Sequence, residues 1–474
     1  MKKFKIVITV LFVCLFCEAS AKVKLVSIFT DHMVLQQQSN IALWGWAKSG
    51  STVKIVTSWN KAGYTAKADK LGKWKVKVIT PKAGGPYQIT FDDGELFTLK
   101  DVLIGEVWFC GGQSNMEMPM KGFKGQPILG SNEAILKSAN KHIRLYTVPR
   151  SSVTERQENS KPSEWKVAGP ESVANFSATG YYFGSLLAEM LNVPIGLIND
   201  SYGGSSVEAW MSPEILTSFP EVKVPAKTDS IKSVNQTPTT LYNGMAYPVI
   251  GYGIRGAIWY QGESNYSRAD RYLDLFPAMV SSWRQEWGLG EFPFYYAQIA
   301  PFVYNFGGDA NDPKLNSAYL RDAQRKALAK IPNSGMAVLM DIGDEKNIHP
   351  ANKKDVGMRL AFLALAKTYG IKGFGAESPS YESTTFEGGN AIVKFDNAPN
   401  GLTSFGKDLS LFEIAGADRK FYPAKAAIKG SSITVSSIEV KEPVAVRYAF
   451  RNFVVGDLFG NDGLPVSSFR SDEW

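Results

Sequence analysis

The stretch Gly111-Gly112-Gln113-Ser114-Asn115 stands directly after "VLIGEVWFC", a short apolar run that reads as a buried β-strand. Two glycines let the backbone turn sharply and pass close to a neighbour. A lone serine between Gln113 and Asn115, just past a buried strand, reads either as a nucleophile or as part of an ordinary polar loop. A serine hydroxyl attacks well only when a base takes its proton, and histidine is the usual base near neutral pH. The chain has three histidines, His32, His142 and His349. His32 lies in "TDHMVLQ", in a region of β texture, and His142 in "NKHIRLY", away from any strand end assigned to the site. His349 follows an apolar strand in the loop "GDEKNIHP", stiffened by Pro350, and is the histidine expected to serve Ser114.

Other strand ends deliver complementary groups. "DSYGGSSVEAW" brings Gly203 and Gly204, a turn with free backbone N–H groups, and "QGESN" brings Gln261 and Glu263. Acyl transfer builds negative charge on the carbonyl oxygen, which pre-placed donors stabilise. The expected oxyanion donors are the N–H groups of Ser114 and of the Gly203–Gly204 turn, with the Gln261 side chain in addition. Gln113, Asn115 and Glu263 are expected to line the substrate's surroundings.

A third group usually orients the histidine. The common slot, three residues before it, is Lys346. Glu345, Asp344 and Asp341 lie four, five and eight residues before His349. Asp344 can curl back as the orienting acid; a backbone carbonyl or a distant carboxylate can also do it, leaving a Ser–His dyad.

The elements that must position these groups are an alternation of strands and helices after Val102. The strands are "VLIGEVWFC", "IGLIN", "RGAIWY", "FPFYYAQIA" and "GMAVLMDI". The helices are "TGYYFGSLLAEML", "RYLDLFPAMVSSWRQEW", "AYLRDAQRKALAKI" and "KKDVGMRLAFLALAKTYG". Such alternation predicts an α/β fold with a doubly wound parallel sheet, whose ligands bind at the carboxyl ends of the strands. Residues 22–101 are all-β in texture, a sandwich-like or jelly-roll-like domain, and residues 375–474 return to short strands. The expected division is a signal segment at 1–21, the N-terminal β-domain at 22–101, a catalytic domain at 102–374 and a β-rich region at 375–474. The last region is free to pack on the N-terminal domain or to form its own sandwich.

Residues 1–21 carry Lys2, Lys3 and Lys5, an apolar "IVITVLFVCLF" and "ASA" at 19–21, which together predict a secretory signal cleaved after Ala21. The apolar run is too short to span a bilayer. A secreted or periplasmic protein is expected, with a lipoprotein anchored at Cys17 as the lesser reading. Cys14 and Cys17 leave with the signal, so Cys110 is alone, excluding an internal disulfide in the mature chain. Cys and His are too few for a metal cluster, and no metal is expected. The formal charge of +7 falls to +5 without Lys2, Lys3, Lys5 and Glu18, and the basic residues are scattered, so no nucleic-acid partner is expected.

"GGQSNMEMP", "GLINDSYGGSSVEAW", "IWYQGESN" and "MDIGDEKNIHP", with "HMVLQ", "LWGWA", "AGGPYQITF", "VAVRYAFRN" and "GLPVSSFRSDEW", resemble the sialate O-acetylesterase family within the SGNH hydrolases. The resemblance runs from about residue 30 to the C-terminus. It implies an SGNH-hydrolase-like sheet, Ser114 as nucleophile, His349 as general base, and Gly204 and Gln261 at oxyanion-donor positions. Lys346 departs from the family's Asp-x-x-His pattern, which leaves the acid open. Met116 in place of the last glycine of Gly-x-Ser-x-Gly disfavours an ordinary α/β-hydrolase elbow.

The reading is a serine-dependent carbohydrate O-acetylesterase needing no cofactor, with O-acetylated sialic acid as favoured substrate by the resemblance. Acetylated xylan, xyloglucan or another glycan is the nearest alternative. An anionic sugar calls for Arg or Lys, and Arg255, Arg268, Arg271 and Arg321 are available. A carbohydrate-binding protein without catalysis and a glycosidase using Glu263 are the rival readings.

Overall fold

The computed structural model describes residues 22–304 and 315–474. The expected signal segment, with Cys14 and Cys17, lies outside the described residues. Among the described residues no helix is long and apolar enough to cross a membrane.

The chain is a mixed α/β protein organised around one long strand, β1 (Leu96–Gly112). Its first half pairs antiparallel with Gly84–Asp92 in the N-terminal β layers, and its second half is the centre of a parallel sheet. The boundary expected between residues 101 and 102 therefore falls inside a strand. Asp101 marks it with a positive φ of 52°. Its carboxylate is held by Arg144 Nη1 and His32 Nδ1, each at 2.6 Å. That contact gives His32 a structural role.

The parallel strands are β1, β2 (Asn140–Thr147), β3 (Ile195–Ser201), β4 (Gly256–Tyr260), β5 (Phe294–Ala297) and β6 (Ser334–Ala337), in spatial order β2-β3-β1-β4-β5-β6. Lys166–Ala168 adds an antiparallel edge next to β2. β2 was not among the expected strands.

Each strand alternates between two cores, as the pleat dictates. Trp108 and Cys110 of β1, Leu197 and Ile258 face one core with Phe183 and Leu187 of helix α2 (Ala178–Leu191). Val356 and Leu360 of the last helix of this part, Lys353–Leu363, complete it. Cys110 is fully buried and packs as a small apolar side chain; burial pushes its thiol up. Phe109, Ile198 and Trp259 face the other core with Phe276 and Trp283 of helix α3 (Ala269–Trp287) and Leu320 of helix α4 (Ala318–Ala327). Burial on both faces explains the near-continuous apolar runs. Truncating a ring such as Trp259, with zero exposure, costs about 3–5 kcal/mol.

Register sets the strand ends level. Gly112 is opposite Ser201 and Tyr260, Tyr260 is opposite Ala297, and Ala297 is opposite Ala337. Everything that follows these residues emerges along one edge of the sheet.

The C-terminal region forms two four-stranded antiparallel sheets, joined by Tyr381 and Phe395 against Phe469, with ring centroids 4.6 and 5.7 Å apart. The region docks beside the parallel sheet. Gln298 Nε2, just past β5, donates to Ser467 Oγ at 2.7 Å. The buried Arg321 reaches Ser468 Oγ at 3.0 Å and the carbonyl of Arg451.

Candidate active site

Ser114 begins a single helical turn, α1 (Ser114–Glu117), immediately beyond β1. Gly112 makes the approach possible. Its φ is +143°, and a Cβ there would lie 2.2 Å from Tyr260 O. Gln113 N–H then donates to Tyr260 O at 2.9 Å, fixing the turn to β4. Ser114 is half-buried, with both neighbours buried.

The turn after β3 closes on Ser114: a Cβ on Gly203 would sit 3.5 Å from Ser114 Cβ. Gly203 N–H donates to Glu117 Oε2 at 2.8 Å. Asn235 Nδ2 donates to Gly203 O at 2.8 Å. Gly204 adopts a left-handed φ of +69°. Among the described residues the N–H groups of Ser114 and Gly204 have no hydrogen-bond partner, whereas that of Gly203 is taken by Glu117.

His349 arrives on the long segment between β6 and helix α5 (Lys353–Leu363). Arg359 of α5 steadies that segment, giving Val338 O a bond of 2.8 Å and gripping both carboxylate oxygens of Asp341 at 2.7 and 2.6 Å. Asn115 ties it to the serine: its Nδ2 donates to Ile348 O at 3.1 Å and to Glu263 Oε1 at 2.5 Å. His349 Nδ1 lies 2.7 Å from Gln126 Oε1. A carboxamide oxygen only accepts, so Nδ1 carries the proton and Nε2 the lone pair. Burial first, then the charge of Lys353, lowers the imidazole from its ordinary value to about 4. The ring also packs edge-on against Phe123, 5.4 Å between centroids. Neither the Ser114 hydroxyl nor Nε2 is hydrogen-bonded among the described residues. Such bonds commonly tighten only when substrate is bound.

Several expected roles are corrected. Asp344 is exposed and uses Oδ1 to accept the N–H groups of Lys346 and Asn347, at 2.8 and 3.0 Å, so it caps its own turn and does not orient His349. Gln261 is fully buried and spends its amide on Ser205 O at 3.0 Å and Asn265 Oδ1 at 2.8 Å, leaving no donor for an oxyanion. Gln113, Asn115 and Glu263 are at most 4% exposed. They stand behind the site as supports; Gln113 Oε1, for example, accepts Gly262 N–H at 3.2 Å.

The four arginines are also accounted for. Arg255 is held by Glu106 at 2.6 Å, at the opposite end of the strands. Arg268 pairs with Glu208 and Arg271 with Glu221, at 3.2 and 2.8 Å, and Arg321 is buried under the C-terminal region. A further arginine, Arg150, meets the Ser114 turn at Glu117. It meets Glu117 Oε1 at 2.6 Å and lies 4.6 Å from the Tyr202 ring centroid, with 55% of its side chain exposed.

Gln126, Lys353, Glu117, Asn235 and Arg150 were not among the expected site residues. Gln126 sits in an irregular segment with no periodic signal, and Lys353 meets Asn115 across 238 residues of chain. A cleft of about 1060 Å³ lies elsewhere, between Trp44 and Trp46 of the N-terminal strands and Glu214 and Tyr247.

Residues 104–365 match the family described as carbohydrate esterase, sialic acid-specific acetylesterase. The chain is 28% identical to the sialate O-acetylesterase of Mus musculus, covering 90% of this chain and 88% of that one. It is 29% identical to that of Pongo abelii, covering 90% and 87%. The crystal structure of a novel carbohydrate acetylesterase from Xanthomonas citri superimposes with a TM-score of 0.87 at 36% identity, covering 95% of this chain and all of that one. The function expected from the sequence, carbohydrate O-acetyl ester hydrolysis, agrees with all of these. The chain belongs to the sialic acid-specific acetylesterase family of carbohydrate esterases, and is a carboxylic ester hydrolase acting on O-acetylated carbohydrate.

Proposed function

We propose that the protein is a serine esterase of O-acetylated sialic acid, with Ser114 as nucleophile and His349 as base. The observation that carries this reading is the Asn115 bridge: the residue after the serine holds the carbonyl before the histidine, at 3.1 Å. In this reading Nε2 of His349 takes the Ser114 proton as Oγ bonds to the acetyl carbon. The N–H groups of Ser114 and Gly204 receive the oxyanion. The carbon–oxygen bond to the sugar breaks, and the sugar oxygen leaves with the proton from His349. Water, deprotonated by the same nitrogen, then attacks the acetyl-enzyme; acetate departs and Ser114 regains its proton.

Two observations favour sialic acid within the carbohydrates. The curated relatives are sialate O-acetylesterases. Arg150, beside the serine turn and half open to solvent, has guanidinium edges left over from Glu117 for a sugar carboxylate. We further read residues 1–21 as a secretion signal, which would place the enzyme outside the cytoplasm, where glycans are met.

The test is acetate release from O-acetylated sialic acid and from acetylated xylan, wild type beside folded Ser114→Ala. Release from the sialic acid, reduced at least about 10³-fold by the substitution, is expected. Release from xylan alone replaces the substrate and keeps the mechanism. Release that survives Ser114→Ala overturns the assignment of the nucleophile.

A further inference from the structure

Lys353 opens helix α5 four residues after His349 and has no exposed surface. A buried ammonium is costly unless its donors are met. Here Nζ donates to Asn115 Oδ1 at 2.6 Å and to Pro350 O at 2.9 Å, and lies 6.0 Å from the Tyr260 ring centroid. Asn115 hands the connection on, donating to Ile348 O at 3.1 Å and Glu263 Oε1 at 2.5 Å. The two carbonyls, of Ile348 and Pro350, flank His349 in the chain, and Asn115 adjoins Ser114. One ammonium and one amide thus fasten the two halves of the site from behind.

We propose that Lys353 is a positioning residue for ester cleavage: through Asn115 it locks the segment carrying His349 to the turn carrying Ser114, and when protonated it sets a positive charge behind the imidazole. The proposal rests on the reading of Ser114 and His349 given above. An apolar side chain of similar length would fill the same space. Only an ammonium both supplies the two hydrogen bonds and opposes protonation of the nearby ring.

The charge balance around His349 supports this second role. Burial, and then Lys353, hold the imidazole down to about 4. Burial also brings Lys353 down to about 7, with the attraction of Glu263 working against it. Glu263 is itself raised by burial, in the face of the Asn115 hydrogen bond and the Lys353 charge. On its other sides His349 meets neutral groups, the Gln126 amide and the Phe123 ring. Glu117, on the Ser114 turn, is engaged by Arg150 and Gly203 N–H.

The experiment uses the full chain, with 4-nitrophenyl acetate as substrate for kcat/KM against pH. The His349 ring is titrated in parallel by NMR, its signal identified by its loss in His349→Gln. Lys353→Gln keeps a donor and removes the charge; Lys353→Arg keeps the charge. In Lys353→Gln the acidic limb and the ring titration are expected to move up together by about one pH unit. In Lys353→Arg the limb stays, while kcat falls about tenfold from imperfect placement. A limb and a titration unmoved in folded Lys353→Gln overturn the proposal. If neither variant folds, the wild-type titration still tests the charge: a His349 midpoint at or above about 6.5 overturns the proposal. Ser114→Ala separates the levels. Activity surviving it sinks the underlying reading, whereas activity lost there with an unmoved Lys353→Gln limb sinks only the role of Lys353.

Discussion

Gln126 Oε1 lies 2.7 Å from Nδ1 of His349, so the group that orients the imidazole is an uncharged amide on the loop following Ser114. An amide fixes the tautomer without stabilising the imidazolium, unlike a carboxylate. Gln126→Ala is expected to free the ring, lowering kcat about 10- to 100-fold with little change in KM. Gln126→Glu places a carboxylate on Nδ1 and is expected to move the acidic limb of kcat/KM up by about 1–2 pH units. Steady-state kinetics across pH checks both; unchanged kcat in a folded Gln126→Ala protein would remove Gln126 from the site.

The wild-type pH profile follows from the same ring. As the proposed base, His349 must be neutral, and burial with Lys353 holds it to about 4. The base form therefore prevails above that value and is lost as pH falls through it. kcat/KM at pH 5 is expected to lie within about twofold of its value at pH 7. A profile measured beside circular dichroism tests this, and an acidic limb near 6.5 in still-folded protein contradicts it.

How far the sequence could be read differs between the two halves of this chemistry. Ser114, His349 and the Gly203–Gly204 turn follow strands whose apolar runs are unmistakable, so their place along one edge of the sheet was legible. The alternation of strands and helices likewise implied a parallel sheet with two buried faces. Contacts that depend on folded loops were not legible. Gln126 meets His349 across 223 residues, through a segment without periodicity, while Asp344 looked the better partner by proximity alone. Proximity failed because a short Asp side chain two residues before an N–H bonds locally. β2 was passed over because its start, "NKH", is polar and exposed, leaving only Ile143 to Tyr146 as apolar signal with Arg144 inside it. Gln261 carried the right chemistry in the right motif, but burial turns its amide inward.

Gly204 offers a test of the turn that faces Ser114. Its φ of +69° is strained for any other residue, and a Cβ would stand 2.7 Å from Asn235 Nδ2. Gly204→Ala is expected to tilt the N–H away from the oxyanion position, lowering kcat about 100-fold while KM changes little. Asn235→Ala, which removes the bond to Gly203 O and the one accepted from Ser233 Oγ, is expected to cost about tenfold. Parallel kinetics and thermal unfolding check the pair; a change in KM with kcat preserved would place this turn in binding instead.

Asp200, near the end of β3, gives a prediction about stability that is separate from catalysis. It has no exposed surface, and burial raises its carboxyl well above the ordinary carboxylate value. Because the folded-state value is the higher one, the folded form holds its proton where the unfolded chain has already lost it. Stability from this group is full below the unfolded value of about 3.9 and is lost as pH rises towards the folded one. Asp200→Asn, which cannot ionise, is expected to raise the melting temperature at pH 7 by several degrees, corresponding to about 1–2 kcal/mol. The gain should shrink as pH approaches 4. Thermal unfolding of both proteins between pH 4 and pH 8 measures it, and a difference that stays constant across that range contradicts the buried neutral acid.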